Sequence, residues 1–250
     1  MPVPGFLGMF SRIPGYVFTF LGKLGTVKLA NIDHVSGLPR PVWRGRLHAW
    51  AAALAVPAGV LLAVSAPTAL AKVAAGVFAA ALVGVYLTSS SYHLLVRTAA
   101  RQRLFQRLDH AMIYVLIAGT STPLCLLAAP PHLGIPALAV VWVGAVCGVV
   151  LALTWRAHRL ASAMYLFLGW ATIVAVPGAV SRTGLLPVVL LGLGGLAYTG
   201  GAVLFFTRRP RLRPDVFGYH EMWHAFTVLA GCVHFVAIFA LVARVGEPAG

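Results

Sequence analysis

Residues 217–243 read FGYHEMWHAFTVLAGCVHFVAIFALVA, and this stretch decides the class of fold. A helix needs about 20 apolar residues to cross a bilayer, and Glu221 is the only Asp, Glu, Lys or Arg in the run. The run therefore predicts a transmembrane helix. Similar apolar runs occur at residues 47–65, 68–92, 108–128, 133–154, 160–180 and 184–206. Together they predict an all-α membrane protein, a seven-transmembrane helix bundle.

The composition excludes the soluble and the unfolded classes of protein. Of the 250 residues, 60% are hydrophobic and 10% are charged, whereas a soluble domain carries roughly 25% charged residues. A chain this apolar has too little polar surface to cover itself in water. We expect one seven-helix domain, residues 47–250, after a basic arm, residues 1–46, that is interfacial or partly disordered.

The basic residues alternate between the connections of the predicted helices. Sixteen of the nineteen fall on one side if the arm is counted with it, and the exceptions are Lys72, Arg182 and Arg244. By the positive-inside rule the N-terminus is cytoplasmic and the C-terminus outside, as in a multi-pass protein of the cell inner membrane. These loops explain the net charge of +14, so we expect membrane lipids as partners and no nucleic acid.

Some residues inside the apolar runs predict details of packing. Pro57, Pro123 and Pro177 are expected to kink their helices. The glycines of the sixth run should permit close helix packing; they are Gly192, Gly194, Gly195, Gly200 and Gly201. The three cysteines, Cys125, Cys147 and Cys232, lack the spacing of a disulfide framework or a thiolate metal site. We therefore expect them to be small buried packing residues.

Two histidines at the start of the last run have the spacing of a metal site. On a helix, His220 and His224 lie about 6 Å apart along the axis and about 40° apart around it, so both rings can reach one ion. The pattern H-E-x-x-H is also the zinc metalloprotease signature, with Glu221 as general base. A protease would need a carboxylate ligand from another helix, and Asp109 is available for that.

Three further polar residues are predicted to lie at the same depth. His93 ends the second helix and Asp109 starts the third, both near the cytoplasmic face. A third imidazole leaves the fourth position of a zinc ion open, as in catalytic sites. Asp109 would then hold the bound water or a ligand histidine, or else act as a helix N-terminal anion paired with Arg103 or Arg107. Ser89 lies one turn before His93, on the same face.

Other intramembrane histidines carry no functional prediction. An isolated histidine in a transmembrane helix usually makes an interhelical hydrogen bond. We expect that role for His234, about 15 Å beyond His224 along the helix, and for His48 at the start of the first helix.

Several of these motifs together resemble those of the bacterial hemolysin III proteins, within the progestin and adipoQ receptor family that includes the adiponectin receptors. The matching stretches run from the second to the seventh helix: Ser89-x-x-x-His93, Leu108-Asp109-His110, Ile113-Tyr114, Ile117-Ala118-Gly119-Thr120 to Thr122-Pro123, Phe217-Gly218-Tyr219-His220-Glu221 with His224, and Ala230-Gly231-Cys232-Val233-His234-Phe235. The chain departs from many bacterial members at Arg44-Gly45-Arg46-Leu47-His48, where they carry an acidic residue and an Asn.

The resemblance implies a fold, a cofactor and a ligand set. It implies seven helices with a cytoplasmic N-terminus and a zinc ion near the cytoplasmic side, held by His93, His220 and His224. Asp109 matches the acidic residue near the zinc-bound water, and Ser89 the serine nearby. The adiponectin receptors lack an acidic residue after the first histidine of the pair, which weakens the role of Glu221 as a base and the protease interpretation.

Three functional hypotheses follow. The first is a zinc-dependent hydrolase of lipid amides or esters, analogous to the ceramidase-like activity attributed to relatives. The second is a pore-forming protein, as the name hemolysin implies. The third is a regulator or receptor-like sensor of membrane state in which the zinc is structural.

Overall fold

A computed structural model describes residues 32–37, 40–154, 158–210, 212–213 and 215–245. Residues 1–31, which make up most of the predicted basic arm, lie outside the described residues. The helices are α1 Arg46–Ser65, α2 Ala69–Leu94, α3 Ala99–Pro123, α4 Pro131–Thr154, α5 His158–Trp170, α6 Val176–Thr183, α7 Leu185–Thr207 and α8 Tyr219–Arg244. A π-helical turn, Leu124–Ala128, continues α3, and a 3₁₀ turn, Ala171–Ala175, follows α5.

The described helices confirm an all-α membrane protein with several spans. Six are long and apolar enough to cross a bilayer: α1, α2, α3 with its π turn, α4, α7 and α8. A broken pair, Met164–Val174 and Pro177–Thr183, bent by 58°, passes the same test when the two parts are taken together, which makes up to seven spans among the described residues. The predicted kink at Pro177 lies at this break, since proline has no amide hydrogen to continue the ladder. Pro123 lies where α3 changes to its π turn.

The third helix begins earlier than the apolar run predicts. The run starts at residue 108, but α3 begins at Ala99, where the Thr98 hydroxyl accepts a hydrogen bond from the Arg101 amide, 3.3 Å away. The first turns of α3 carry several arginines, so hydropathy marks the membrane part of the helix and not its cap. Asp109 therefore lies nearly three turns inside α3.

The helices form a ring in chain order. Consecutive helices pack side by side, and α8 contacts α1 and closes the ring. One buried cluster, which includes Leu62, Phe78 and Ile238, joins α1, α2, α3 and α8. A second, which includes Tyr114 and Val141, joins α3, α4 and α5. The ends of α2 and α8 that carry the candidate ligands are thereby held in the same bundle.

Two glycines of α7 allow α8 to approach. A Cβ at Gly194 would lie 2.1 Å from His234 Cδ2, and one at Gly201 would lie 2.6 Å from Phe226 Cβ. Gly195 and Gly200 have Trp170 and Phe226 at ordinary contact distance. A Cβ at Gly192 would meet nothing within 4 Å, so the prediction of a packing role is wrong for that residue.

The cysteines differ in exposure. Cys125 is buried as predicted, but Cys147 and Cys232 are exposed on the outer surface of the helices. The prediction of burial is wrong for these two, because a thiol is apolar enough to face lipid. Their neighbours on that surface are also large and apolar, as shown by Val143, Val146 and Leu229.

The described basic side chains lie in two layers at opposite ends of the bundle. At one end Arg182 donates to the Ala129 carbonyl, 3.3 Å away, and Arg244 to the Thr183 carbonyl, 2.6 Å away. At the other end Arg107 donates to the last turn of α4, 3.1 Å away. The predicted division of charge is therefore confirmed for the basic side chains that the structure describes, and the assignment of the larger layer to the cytoplasm stays a prediction.

Candidate metal centre

The structure brings His93, His220 and His224 together. His93 comes from the last turn of α2, and the other two come from the first two turns of α8. One nitrogen from each ring can be chosen so that all three lie within 4.8 Å of one another. His93 and His224 are buried, and His220 is partly buried. Two distant segments of the chain thus supply three imidazoles to one point.

This arrangement fits a zinc ion in number and kind of donor. Zn–N bonds of about 2.0–2.1 Å in a tetrahedral site place the nitrogens about 3.3 Å apart, so small side-chain rotations bring the three rings to bonding distance. Imidazole is a common ligand of zinc. The buried Nδ1 of His224 has no hydrogen-bond partner among the described residues, and an ion or a bound ligand is one explanation of such an atom.

Asp109 and Ser89 lie next to each other beside the histidines. The Ser89 hydroxyl is adjacent to the Asp109 carboxylate, and it makes no hydrogen bond with any described residue. No salt bridge joins Asp109 to Arg103 or Arg107, three residues that the structure describes. The alternative of a helix N-terminal anion paired with these arginines is therefore wrong, since Asp109 lies well inside α3.

The Glu221 carboxylate bonds to groups outside the histidine cluster. Its side chain is fully buried; Oε1 accepts from Arg44 Nε, and Oε2 accepts from the Gly218 amide, 2.8 Å away. The second bond caps the start of α8. No carboxylate joins the three histidines in the metal-binding group found among the described residues. This geometry gives Glu221 a structural role, and its role as a base stays a prediction without geometric support.

A cavity of about 390 Å³ leads away from the histidines. Asp109 and His220 lie in its wall, and α3, the broken fifth span, α7 and α8 supply the rest. Most of the lining is apolar, with Ile113, Ile117 and Val188 among its residues. An alkyl chain suits such a space better than a polar solute does.

The comparisons with known proteins agree with this architecture. A family model described as Haemolysin-III related matches residues 36–235. The chain belongs to the haemolysin III family. Hemolysin-3 of Bacillus cereus is 30% identical over 196 residues, which cover 76% of this chain and 86% of that relative. The Hemolysin-3 homolog of Bacillus subtilis (strain 168) is 29% identical over 164 residues, covering 65% and 74% of the two chains.

The haemolysin III match includes a histidine to which the sequence assigns no function. His48 makes the predicted interhelical hydrogen bond, from its Nε2 to the Thr227 hydroxyl, 2.8 Å away. The His48 ring also stacks on the His224 ring, with centroids 4.0 Å apart and an interplanar angle of 11°. The Thr227 hydroxyl donates to the His224 carbonyl, 2.8 Å away. No spacing in the sequence could reveal this contact, because α1 and α8 come from opposite ends of the domain's sequence.

In this haemolysin III chain a short N-terminal strap, residues 40–45, lies over the histidine end of the bundle. Val42 and Trp43 donate backbone hydrogen bonds to the carbonyls of Asp215 and Val216, 3.1 and 3.2 Å away. Arg40 donates to the His93 carbonyl, 2.9 Å away, and a Cβ at Gly45 would lie 2.5 Å from His93 Cβ. The strap therefore holds the ends of α2 and α8 together.

A turn around Asp33 anchors the chain just before the strap. The Asp33 carboxylate accepts hydrogen bonds from the Val35 and Ser36 amides and from Gln102 Nε2, and it pairs with Arg40 at 3.4 Å. Partial burial acts to raise the pKa of Asp33, but the hydrogen bonds outweigh it and lower the pKa to about 2. The turn around Asp33 and His34 is thus linked to Gln102 of α3.

Proposed function

We propose that this haemolysin III protein is a zinc-dependent hydrolase of lipid amides or esters that acts near the cytoplasmic face of the cell inner membrane. One observation carries the proposal: three histidines converge, and one of them, His220, lies in the wall of an apolar cavity that also contains Asp109. A ligand set with an open position, a carboxylate and a space for a hydrocarbon chain are what hydrolysis of a lipid requires.

The residues would divide the work as follows. His93, His220 and His224 would hold the zinc. The chemistry that zinc supplies in a three-histidine site is the activation of water near neutral pH and the polarisation of a carbonyl. Asp109 would orient the attacking water and take its proton, since its carboxylate faces the same cavity as His220. The Ser89 hydroxyl would hold that carboxylate in place.

Metal analysis tests the ligand set. Purified wild-type protein should contain about one zinc per chain, and the His220→Ala/His224→Ala variant should contain none. His132→Ala is the matched control, because this exposed histidine starts α4, far from the cluster. A double variant that keeps its zinc would show that the ligand assignment is wrong.

Turnover is tested with labelled ceramides and other lipid amides and esters. We expect product from zinc-loaded wild type and a loss of at least 100-fold in Asp109→Asn, in keeping with general-base contributions of about 10²–10⁴. If the wild type forms no more product than Asp109→Asn does, the hydrolysis proposal is contradicted. Equal zinc contents in the two proteins ensure that the comparison concerns the carboxylate.

A second candidate is a membrane-acting protein without turnover, either pore-forming or a regulator with structural zinc. The observation that favours it is the name hemolysin carried by the two Bacillus relatives. Leakage of dye from liposomes that persists in the His220→Ala/His224→Ala variant would favour a pore. Zinc binding without any lipid product would favour the regulator.

A further inference from the structure

Two polar side chains lie in the wall of the cavity, away from the candidate metal centre. Tyr198 is on α7 and His234 is on α8, and both line the same cavity as Asp109 and His220. Their ring centroids are 5.5 Å apart. His234 follows His224 by ten residues on one helix, which is about 15 Å along the axis. The two rings are thus neighbours on the cavity wall, about 15 Å along α8 from the metal cluster.

Both side chains have a buried polar atom without a partner. Within the described residues, neither His234 Nδ1 nor the Tyr198 hydroxyl makes a hydrogen bond. His234 as a whole residue is 8% exposed. Buried polar groups in proteins are nearly always satisfied by protein, water or ligand. Two such atoms on neighbouring rings in one cavity indicate a common partner.

The hydrogen-bonding role of each atom can be assigned. His234 Nε2 lies 3.0 Å from the Leu191 carbonyl, and a carbonyl only accepts, so Nε2 carries the hydrogen. A charged ring is costly among apolar groups, so His234 is neutral and its Nδ1 is an acceptor. The Tyr198 hydroxyl can donate. A shared partner must therefore donate to His234, and it can accept from Tyr198.

The backbone of α7 is shaped around this imidazole. A Cβ at position 194 would lie 2.1 Å from His234 Cδ2 and 2.4 Å from its Nε2, so only glycine leaves room for the ring there. The contact holds the ring edge against α7, where Nε2 reaches the Leu191 carbonyl, three residues before Gly194. The orientation of Nδ1 is therefore set by the packing of α7 on α8.

We propose that His234 and Tyr198 bind a hydroxyl group on the hydrocarbon chain of a lipid that occupies the cavity. An alcohol donates to the imidazole and accepts from the phenol, whereas a ketone only accepts and an unsubstituted chain does neither. The identity of the occupant rests on the proposed function. With the lipid carbonyl at the histidine cluster, the hydroxyl lies about 15 Å away from that carbonyl, a length set by ten residues of helix.

Equilibrium binding to the purified protein in lipid nanodiscs tests the proposal. The probes are four fatty acyl amides of equal chain length: unsubstituted, with a hydroxyl in the distal half of the chain, with a ketone at that same position, and with a hydroxyl next to the carbonyl. We expect the distal alcohol to bind about tenfold more tightly than the other three, the size of one well-made hydrogen bond.

Substitutions at Tyr198 and His234 test whether these two side chains cause the preference for the distal alcohol. Tyr198→Phe removes only the hydroxyl, so it keeps the packing of α7 and should reduce the preference to about twofold or less. His234→Phe should do the same, and Tyr219→Phe, outside the cavity lining, should leave the preference unchanged.

The outcomes separate this inference from the proposed function. Tight binding of all four probes without a preference would show that a water molecule alone satisfies the two rings, and would overturn the subsite while leaving the hydrolase proposal standing. A preference that survives in both Tyr198→Phe and His234→Phe would also overturn it. Failure of every probe to bind would overturn the inference and the lipid-occupied cavity together.

Discussion

The guanidinium of Arg44 is ion-paired with the carboxylate of Glu221, the residue that directly follows the candidate ligand His220. Arg44 belongs to the N-terminal strap and Glu221 to the first turn of α8. The Glu221 side chain is fully buried, and that of Arg44 is 19% exposed. The pair therefore holds the start of α8 against the strap, and with it the position of His220.

Removing Arg44 should destabilise the protein strongly. Arg44→Ala leaves the buried Glu221 carboxylate without its counterion, which typically costs about 3–5 kcal/mol. We expect a decrease of about 3 kcal/mol in the free energy of unfolding, measured by denaturant titration in detergent. Arg46→Ala, two residues on, should change it by less than about 0.5 kcal/mol. Equal effects of the two substitutions would contradict a structural role for the pair.

Two glycines with similar backbone angles make a matched test of the contact on His93. Gly45 has φ +80° and Gly37 has φ +74°, a conformation unfavourable for other residues. A Cβ at Gly45 would also lie 2.5 Å from His93 Cβ, whereas one at Gly37 meets nothing within 4 Å. Gly45→Ala should therefore lower both stability and zinc affinity.

Gly37→Ala is the control, with an expected loss of about 1 kcal/mol of stability and an unchanged zinc affinity. Chelator competition gives the affinity of each variant. If Gly45→Ala binds zinc as tightly as Gly37→Ala, the strap does not position His93.

The stacking of His48 on His224 predicts an effect on metal affinity and not on metal content. His48→Ala removes a ring that orients a candidate ligand, and partners of this kind are worth about 10–100-fold in affinity. We expect zinc to remain at about one per chain at saturation, with an affinity about tenfold lower by competition with a chelator. Loss of zinc at saturation would instead make His48 a ligand.

The low pKa of Asp33 predicts a decrease in stability in acid. The pKa is lowered to about 2 in the folded protein, below the value of about 3.9 for an unfolded chain. The ionised carboxylate therefore stabilises the fold above about pH 4, and this contribution is lost as the pH falls from about 4 to 2. Asp33→Asn should be less stable than wild type at pH 6, with a difference that shrinks by pH 3.

The layers of basic residues predict the side from which cysteine probes can be labelled. In a background without the three native cysteines, Arg101→Cys should react only with a reagent that has entered the cytoplasm. Arg182→Cys, exposed at the opposite end of the bundle, should react with an impermeant reagent in intact cells. The reverse pattern would place the histidine cluster at the outer face.

The sequence predicted the ends of the helices less well than their existence. The apolar runs located every described span, because hydrophobic length is a property of the local sequence. They placed the start of α3 nine residues too late, since its arginine-rich first turns are helical outside the apolar region. They also showed the fifth span as one continuous run, although it is broken by 58° near Pro177.

For the candidate site, the sequence by itself predicted the candidate ligand pair, His220 and His224, and the third histidine, His93, that the structure brings beside them. The i,i+4 spacing places His220 and His224 on one helix face whatever the fold, and alternating loops place His93 at the same depth. The tertiary structure alone decided what surrounds them. In the folded protein His48 stacks on His224, Arg44 forms an ion pair with Glu221, and Tyr198 lies beside His234. These contacts join segments that are distant in the chain, so they depend on side-chain packing rather than on local periodicity.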